Sequence, residues 1–231
     1  MKAEKLVRLR AAVSEGDYLR AAILVSRKLR VAQLDRVLIM GTEIHADRPL
    51  LRKLREREPG LLVRETGAAD VPSLARAFPH HAERYAVRFE RGDSCLVVTQ
   101  GEAPVAMGWI RLRHTGVINE MGSRLELARE DCWGHDTYVL PEHRARGAFA
   151  VLMWEMFRFL KARGLRSIYA SVAWENTPSR ASHSRLGYQT AMVIDRLWIA
   201  GLRVYRLEWP GRGRKLVRSA LSGAPAFPLS G

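Results

Sequence analysis

The sequence predicts an α/β domain in which strands alternate with helices, and two strand–turn–helix segments carry this prediction. In the first, between Val139 and Phe149, an apolar strand ends at Pro141, and a turn rich in arginine and small residues leads into an apolar helix. In the second, a β-branched and aromatic strand over 166–172 is followed by a helix that ends before Gly187. With 231 residues, of which 47% are hydrophobic and 27% charged, the chain can enclose one sizeable core and carry extensions.

The first 60 residues are interpreted as a basic, mainly helical N-terminal extension. The pattern over 1–34 predicts helix, with Asp17 capping an amphipathic segment whose polar face is basic. The apolar run 37–40 is a candidate strand, and 47–60 is a charged connector. A basic amphipathic helix either lies on an anionic membrane surface or packs on the protein with its cations in solvent, and both interpretations stay open here.

The predicted folded domain covers 61–209. In chain order, we expect strands over 61–65, 94–99, 104–112, 133–140, 166–172, 188–200 and 202–209, with helices over 69–78, 82–90, from Phe149 to about Lys161, and from Asn176 to Leu186. The tail over 210–231 is rich in Gly, Pro, Ser and basic residues, and we expect it to be disordered.

The formal net charge of +14 is concentrated in the flanks of this domain. Residues 1–60 hold 14 Lys and Arg against 8 Asp and Glu, and residues 210–231 hold 4 basic residues and no acid. This distribution favours an anionic partner or surface for the flanks rather than a basic substrate cleft. Nucleic acid is not the expected partner, because the basic residues are interleaved with acids and no zinc-ligand spacing occurs.

The chain is expected to be cytoplasmic and reduced, with a peripheral position at the inner face of the membrane left open by the basic flanks. No run approaches 18 uncharged apolar residues, and the N-terminus lacks the apolar core of a signal peptide. The two cysteines, Cys95 and Cys132, stand in unrelated contexts without metal-ligand spacing. A nucleophilic role is not expected of either thiol, because neither has an activating neighbour in the sequence.

The turn after the strand at 133–140 is a candidate phosphate site. A strand that feeds a helix through such a turn directs unpaired backbone N–H groups and the positive end of the helix dipole at one point. The alternative is an ordinary turn with solvated basic side chains. The segment resembles motif A of the GCN5-related N-acetyltransferase (GNAT) family, with Arg144 and Gly147 at the family's positions and Phe149 where the family has glycine or alanine.

The second segment strengthens this resemblance. The family has an asparagine, a helix with a tyrosine seven residues later, and then leucine, glycine and an aromatic residue. This chain has Asn176, His183, Leu186, Gly187 and Tyr188 at those spacings, so that histidine replaces the tyrosine. The resemblance covers roughly 61–209 and implies the GNAT fold: a mixed, mostly antiparallel sheet flanked by helices.

The resemblance also implies acetyl-CoA as co-substrate, bound without a metal. The donors for its pyrophosphate would be the backbone from Arg146 to Ala150 and the Arg144 and Arg146 side chains. The strand that carries the turn would separate from the next strand, so that free backbone groups pair with the pantetheine arm. The implied donor-binding residues are Val139, Leu140, Arg144, Arg146, Gly147, Ala148, Phe149, Ala150 and Asn176.

Amide formation needs a base for the ammonium and an acid for the departing thiolate. The family's acid is the tyrosine at the position of His183, and an imidazole with an ordinary pKa of roughly 6.5 can deliver a proton near neutral pH. Asp136 is the candidate base, because it lies on the strand that leads to the turn. Its competitors are Glu120, Glu130, His135 and a water relay. The His80–His81 pair is interpreted as part of a loop, because no third metal ligand is recognisable.

The sequence therefore predicts an N-acetyltransferase that transfers an acetyl or related acyl group from acyl-CoA to the primary amine of a small molecule by direct attack. One alternative is a longer-chain N-acyltransferase fed by acyl carrier protein, whose acidic surface would suit the basic flanks. Another is a non-catalytic CoA-binding or nucleic-acid-binding module. The acceptor would be selected by loops over 78–93 and 113–132.

Overall fold

The computed structural model describes residues 14, 32–45, 48–112, 114–118, 121–199, 202–219 and 225–229. The chain divides into two compact units. The central unit comprises Thr42–Gly116 and Leu127–Ala170, and the terminal unit comprises Met1–Gly41, Val117–Glu126 and Ser171–Gly231. Within the described ranges, no helix has the length and apolar character that a membrane span requires.

The helices and strands are labelled in chain order. The α-helices are α1 (Pro49–Arg57), α2 (Val71–Ala77), α3 (Tyr85–Glu90), α4 (Ala148–Ala162) and α5 (Thr177–Arg185). The strands are β1 (Ala32–Glu43), β2 (Leu61–Thr66), β3 (Ser94–Gln100), β4 (Ala103–Arg111), β5 (Thr115–Ile118), β6 (Ser123–Glu126), β7 (Asp131–Val139), β8 (Ser167–Ala173), β9 (Gln189–Ile199), β10 (Leu202–Trp209), β11 (Gly213–Ser219) and β12 (Ala226–Pro228).

The central unit is built on a sheet with the strand order β8–β7–β4–β3–β2, to which β8 contributes its first residues. Neighbouring strands are antiparallel except β7 and β8, which run parallel. Helix α4 packs on one face, against β2, β3 and β4. Alternate residues of β3 and β4 point to the other face, where they form a core with α2 and α3. This core consists of Leu74, Phe78, Tyr85, Cys95, Val97, Met107 and Trp109.

The terminal unit contains the antiparallel strands β11–β10–β9–β1 and helix α5. Cross-strand ion pairs join Asp35 to Arg196 at 2.5 Å and Arg36 to Asp195 at 2.5 Å. A small second sheet has the order β12–β6–β5, with β12 parallel to β6. Phe227 of β12 is 1% exposed and packs against the Tyr205 ring.

The predicted fold class is confirmed, since the sheet is mixed, mostly antiparallel and flanked by helices. Every helix and strand that the sequence predicts between 61 and 209 is present, with ends within about three residues of the expected ones. The domain boundaries at 61 and 209 stay predictions. The helix expected over 1–34 lies outside the described residues, apart from Ser14 and the start of β1.

Three segments differ from the expectation. Strand β1 extends well beyond the apolar run 37–40 and pairs with β9, so this part of the N-terminal segment is strand rather than helix or connector. Two short strands, β5 and β6, lie in the expected loop over 113–132. The prediction of a disordered tail is wrong over Gly213–Ser219, which forms β11.

The tail orders because β10 offers a free edge and a tight turn reaches it. Gly211 and Gly213 have φ values of 74° and 117°, which glycine adopts readily, and Arg212 N–H donates to Trp209 C=O. The turn places 213–219 antiparallel to β10, where backbone hydrogen bonds offset its weak apolar content. Composition alone does not report this pairing.

Candidate active-site residues

The turn between β7 and α4 has the backbone of an anion-binding turn. Residues Pro141–His143 form a 3-10 turn, and Gly147 is the N-cap of α4 with φ 79°, a conformation that favours glycine. Ala145 also has a positive φ of 59°. The first N–H groups of a helix have no carbonyl partner within the helix, and the dipole of α4 adds positive potential at the same end. An anion at this end of α4 would be stabilised, and the assignment of Arg146 to Ala150 as its donors stays a prediction.

The two arginines of this turn differ in their contacts. Arg144 Nε donates to Val139 C=O at 3.3 Å, and the guanidinium lies 5.7 Å from the Tyr138 ring. Arg146 is exposed. Arg146 can thus turn toward a bound phosphate without breaking a contact that the structure records, whereas Arg144 would give up its bond to Val139.

The space that glycine leaves at position 147 is filled by Glu58. A Cβ built on Gly147 would lie 2.8 Å from Glu58 Cγ and 3.3 Å from Glu58 Oε1. Glu58 belongs to the predicted charged connector, and no sequence pattern indicates its contact with Gly147. Gly147 therefore serves both its own positive φ and the close packing of a carboxylate against the turn.

The end of β7 presents backbone groups away from β4. Leu140 N–H donates to Val105 C=O, and Ala106 is the partner of Val139, which makes 106–139 a pair without mutual hydrogen bonds. The Val139 N–H and C=O therefore point away from β4. Pairing of β7 with β8 covers Asp131–Trp133 with Ser167–Tyr169, and no later residue of β7 has a β8 partner among the residues that the structure describes.

Val139 and Leu140, which were both predicted to bind the donor through their backbone, differ in the hydrogen-bonding groups that they can offer. Val139 can offer its backbone N–H to an extended ligand. Leu140 cannot do so in this conformation, because its N–H is bound to Val105 and its C=O accepts from His143 N–H. The expectation that Leu140 contributes free backbone groups is therefore corrected.

Asp136 lies in a β-bulge. Met107 pairs with Tyr138 and Trp109 pairs with His135, so Asp136 and Thr137 lie opposite the single residue Gly108. Asp136 has a positive φ of 43°. The bulge changes the direction of its side chain, which lies next to Arg88 on α3.

Arg88 and Asp136 form a partly buried ion pair. Arg88 is 6% exposed, and its guanidinium lies over the Trp109 ring at 5.0 Å. Burial acts to raise the pKa of Asp136, but the charge and hydrogen bond of Arg88 outweigh it, so the pKa is lowered. A carboxylate held in this way is a weaker proton acceptor than a free one. The assignment of Asp136 as base stays a prediction.

His135 belongs to a neighbouring buried network. Its Nε2 lies 3.4 Å from Asp93 Oδ2, and Arg111 binds both Asp93 oxygens, at 2.9 and 2.7 Å. Burial lowers the pKa of His135, although Asp93 acts in the opposite direction. The imidazole is therefore neutral at neutral pH and can accept a proton. Despite burial, the neighbouring His135 and the two bonds from Arg111 hold the pKa of Asp93 at about 2.

His183, the predicted acid, lies in the terminal unit on α5. Its Nδ1 is 2.8 Å from Ser179 C=O, which can only accept, so Nδ1 carries a hydrogen and the imidazolium proton would sit on Nε2. The ring packs edge-on against Tyr188. Burial lowers the pKa of His183 more than the bond to Ser179 raises it. The protonated form needed for acid catalysis is therefore a minority at neutral pH.

Asn176 caps helix α5. Its Oδ1 accepts from Ser179 N–H at 3.2 Å, and Pro178 stands in the first turn. The side chain thus has a structural role, and its predicted contact with the cofactor stays a prediction. Gly187, with φ 77°, follows the helix as a C′ glycine.

The remaining candidates are placed as follows. Cys95 and Cys132 are fully buried, and burial raises the pKa of both thiols, that of Cys95 to about 12, so neither is a reactive thiolate. Glu120 lies outside the described residues. Glu130 accepts a hydrogen bond from Arg166 N–H through its backbone. Within the described ranges, no three His, Cys, Asp or Glu side chains could hold a metal ion together.

The His80–His81 pair belongs to the loop between α2 and α3. The two rings are 3.9 Å apart, and His80 lies 6.3 Å from the Tyr138 ring. The Tyr85 hydroxyl lies 2.8 Å from Phe78 C=O and 2.9 Å from His80 C=O, and it can donate to either. Burial raises the pKa of Tyr85 to about 12, so it stays a donor. The loop is therefore held beside Tyr138 by a buried anchor.

The ion pairs around Trp109 were missed by the sequence analysis. Arg88 pairs with a residue 48 positions away, and Arg111 pairs with one 18 positions away. A usable signal was present, because Arg88, Asp93 and Arg111 are charged residues inside otherwise apolar patterns.

The comparisons with known proteins agree with this fold. The sequence model of the Acetyltransferase (GNAT) family matches residues 63–188, while no curated protein matches the chain. One similar solved structure is a functionally unknown conserved protein from Staphylococcus epidermidis, with 13% identity and a TM-score of 0.50 over 73% of this chain and 63% of that one.

Another is the glucosamine N-acetyltransferase region of a fungal multi-domain GH3 β-N-acetylglucosaminidase, with 15% identity and a TM-score of 0.51 over 74% of this chain and 22% of that one. The chain thus spans less than two thirds of the length of either structure. At these identities the likeness shows a shared fold and no shared substrate. Because the family match covers more than half of the sequence, the chain belongs to the GNAT acetyltransferase family.

Proposed function

We propose that the chain is an acyl-CoA-dependent N-acyltransferase that transfers an acetyl or related acyl group to a primary amine of a small molecule by direct attack. The observation that carries this proposal is the arrangement at the end of β7. The Val139 N–H and C=O point away from β4 where pairing with β8 has ended, and eight residues later α4 begins at a left-handed glycine. The end of β7 thus offers backbone groups that could hydrogen-bond the amides of the pantetheine arm. The N-terminus of α4, which follows, could bind the phosphates.

The residues present fit acyl-CoA. Phosphate oxygens accept hydrogen bonds and are stabilised at a helix N-terminus without a metal, and Arg146 is free to add a charge-assisted bond. The pantetheine arm carries amides that can pair with the Val139 backbone. The Glu58 carboxylate lies near Gly147 and opposes an anion there.

The amine must lose a proton before it attacks the acyl carbonyl. Asp136 and His135 are adjacent on β7, and both are proposed as proton acceptors. His135 is neutral but deeply buried, whereas Asp136 is more exposed but paired with Arg88. Direct attack joins the amine nitrogen to the acyl carbon and breaks the thioester bond, so the proton lost by nitrogen balances the proton gained by the thiolate.

His183 is proposed as the group that supplies the proton to the thiolate. Because Nδ1 is bound to Ser179 C=O, Nε2 is the ring nitrogen that we propose for this task. Because burial lowers the pKa of His183, the reaction would rely on a small protonated fraction or on proton uptake from solvent during the step. This is a specific point at which the chain differs from the family's tyrosine.

The test is acetyl transfer by the full chain. Acetyl-CoA is offered with amino sugars, amino acids, polyamines and peptides, thiol release is followed, and the amide is identified by mass spectrometry. We expect at least one class of amine to cause release of the CoA thiol from acetyl-CoA. This release should be lost in Arg146→Glu, which reverses an exposed charge without disturbing the core. Thiol release that is unaffected by this reversal would show that the turn at Arg146–Ala150 does not bind the phosphates of the donor.

Longer-chain acyl-CoA and acyl carrier protein enter the same assay as alternative donors. The basic flanks motivate the carrier protein, and on β11 the cationic side chains of Arg214 and Lys215 are exposed. A carrier-protein donor that outcompetes acetyl-CoA at low salt, and loses this advantage at high salt, would favour the alternative over the main proposal.

A further inference from the structure

A carboxylate packs against Gly147, at the turn to which the proposed function assigns the phosphate of the donor. Glu58 Cγ lies 2.8 Å and Oε1 3.3 Å from the point where a Cβ of Gly147 would be. Gly147 is the N-cap of α4, so this carboxylate lies beside the end of the helix whose dipole attracts anions. The charge of Glu58 therefore lies beside the same positive end of the helix that would attract a phosphate.

The rest of Glu58 is fixed by its backbone rather than by its charge. Its N–H donates to Arg55 C=O, and its C=O accepts from Leu61 N–H and from Arg55 Nη1. Among the described residues, no Lys or Arg forms an ion pair with its carboxylate. The side chain is thus held against Gly147 by packing rather than by an ion pair with a described residue.

Helix α1 holds this Cα next to α4. The two helices pack together, Leu51 of α1 is 1% exposed, and the Arg48 guanidinium lies 5.2 Å from the Phe157 ring of α4. Arg55 Nε lies 3.6 Å from Glu155 Oε1, also on α4. Because α1 is anchored to α4 at several points, the Glu58 carboxylate is confined near Gly147.

We propose that Glu58 is a specificity-determining residue of the donor site, which lowers the affinity for the pyrophosphate of acyl-CoA by competing with it for the N-terminus of α4. This inference rests on the proposed function. A pyrophosphate that approaches Gly147 must displace the Glu58 side chain and then bind in its negative field. A donor fragment without phosphate does not meet this opposition, since its contacts lie at the β7 backbone.

The experiment compares Glu58→Gln with the wild-type full chain by calorimetric titration of CoA and of phosphate-free pantetheine. The matched control is Glu56→Gln, because Glu56 lies on the same helix, is 67% exposed and contacts Arg52 on its own helix at 3.8 Å. We expect Glu58→Gln to bind CoA about threefold to tenfold more tightly, with pantetheine binding unchanged. Glu56→Gln should match the wild type for both ligands.

Two further measurements sharpen the test. Glu58→Asp keeps the charge but withdraws it by one methylene group, so its CoA affinity should fall between those of the wild type and Glu58→Gln. The gain in Glu58→Gln should shrink as salt rises, because screening weakens the removed repulsion.

The outcomes separate this inference from the proposed function. Wild-type binding of CoA with no gain in Glu58→Gln, or with an equal gain in Glu56→Gln, would overturn the role of Glu58 and leave the proposed function intact. Failure of both wild type and Glu58→Gln to bind CoA would reject the proposed function, and the inference with it.

Discussion

Substitution of Gly147 by alanine tests the geometry of the turn at Arg146–Ala150. The substitution should lower the free energy of unfolding through two separable effects. Gly147 has φ 79°, a region where an L-residue costs about 1–2 kcal/mol relative to glycine. The new Cβ would also lie 2.8 Å from Glu58 Cγ. Because real contacts of this kind are longer, Glu58 must leave its rotamer, which costs about 0.5–1.5 kcal/mol.

We therefore expect Gly147→Ala to lower the free energy of unfolding by about 2–3 kcal/mol, measured by urea denaturation. In a Glu58→Ala background the steric part disappears, and the same substitution should cost only about 1–2 kcal/mol. The coupling between the two positions is then about 1 kcal/mol, which a double-mutant cycle resolves.

Gly164 supplies the control for the conformational cost. It has φ 74°, and a Cβ there would have no neighbour within 4 Å. Gly164→Ala should thus cost about 1–2 kcal/mol whether or not Glu58 is present. Additive effects of Gly147→Ala and Glu58→Ala would refute the contact, and with it the argument that Glu58 lies at the helix terminus.

Three other predictions concern the proton donor, the buried network and the C-terminal segment. His183→Ala should lower kcat about 10²–10⁴-fold with little change in CoA affinity, while His45→Ala, at an exposed histidine, should not. Because the folded-state pKa of His183 lies below 6.5, wild-type kcat should fall as pH rises through that lowered pKa. Undiminished turnover in His183→Ala would remove His183 from the mechanism. Asp93 has a pKa of about 2 against an ordinary 3.8, so the stability it contributes, about 2 kcal/mol, is full above pH 3.8 and is lost as pH falls toward 2. Urea unfolding of Asp93→Asn should show a correspondingly weaker acid dependence, and an unchanged dependence would contradict the assignment. Phe227→Ala should lower the free energy of unfolding by about 3–5 kcal/mol in the same assay. Leu216 is 62% exposed, so the control Leu216→Ala should lower it by less than about 0.5 kcal/mol. Equally small effects of the two substitutions would mean that β12 does not pack as described.

The fold of the region over 61–209 could be predicted from local patterns because its elements are strongly periodic and bounded by clear signals. Gly187 ends α5, and Asn176 caps it, as the residue types indicate. The run after Phe149 reads as a buried helix because its apolar residues follow a helical spacing. In these segments local preference and tertiary packing agree.

Pairings between distant segments could not be predicted in the same way. Strand β11 forms because a glycine turn returns it to β10, and its own residues carry only a weak strand pattern. Glu58 reaches Gly147 because α1 packs on α4, which no spacing in the sequence reports.

For the candidate site, the sequence located the turn and the strand but did not settle the state of the side chains on them. The pairing of Asp136 with Arg88 and the commitment of Leu140 N–H to Val105 both depend on a β-bulge at Gly108. A bulge follows from the register between two strands, so one strand alone does not reveal it.

The central claim is that the turn at Arg146–Ala150 binds the phosphates of an acyl-CoA donor. Calorimetric titration of acetyl-CoA into the full chain, in the absence of added metal, tests it most directly. The account predicts binding in the micromolar range for the wild type and no detectable binding for Gly147→Glu, which places a side chain and a charge in the turn. Arg146→Glu, which leaves the core untouched, should weaken binding strongly and guards against misfolding of the glycine variant. A wild-type chain that binds neither acetyl-CoA nor CoA, or variants that bind as tightly as the wild type, would contradict the account.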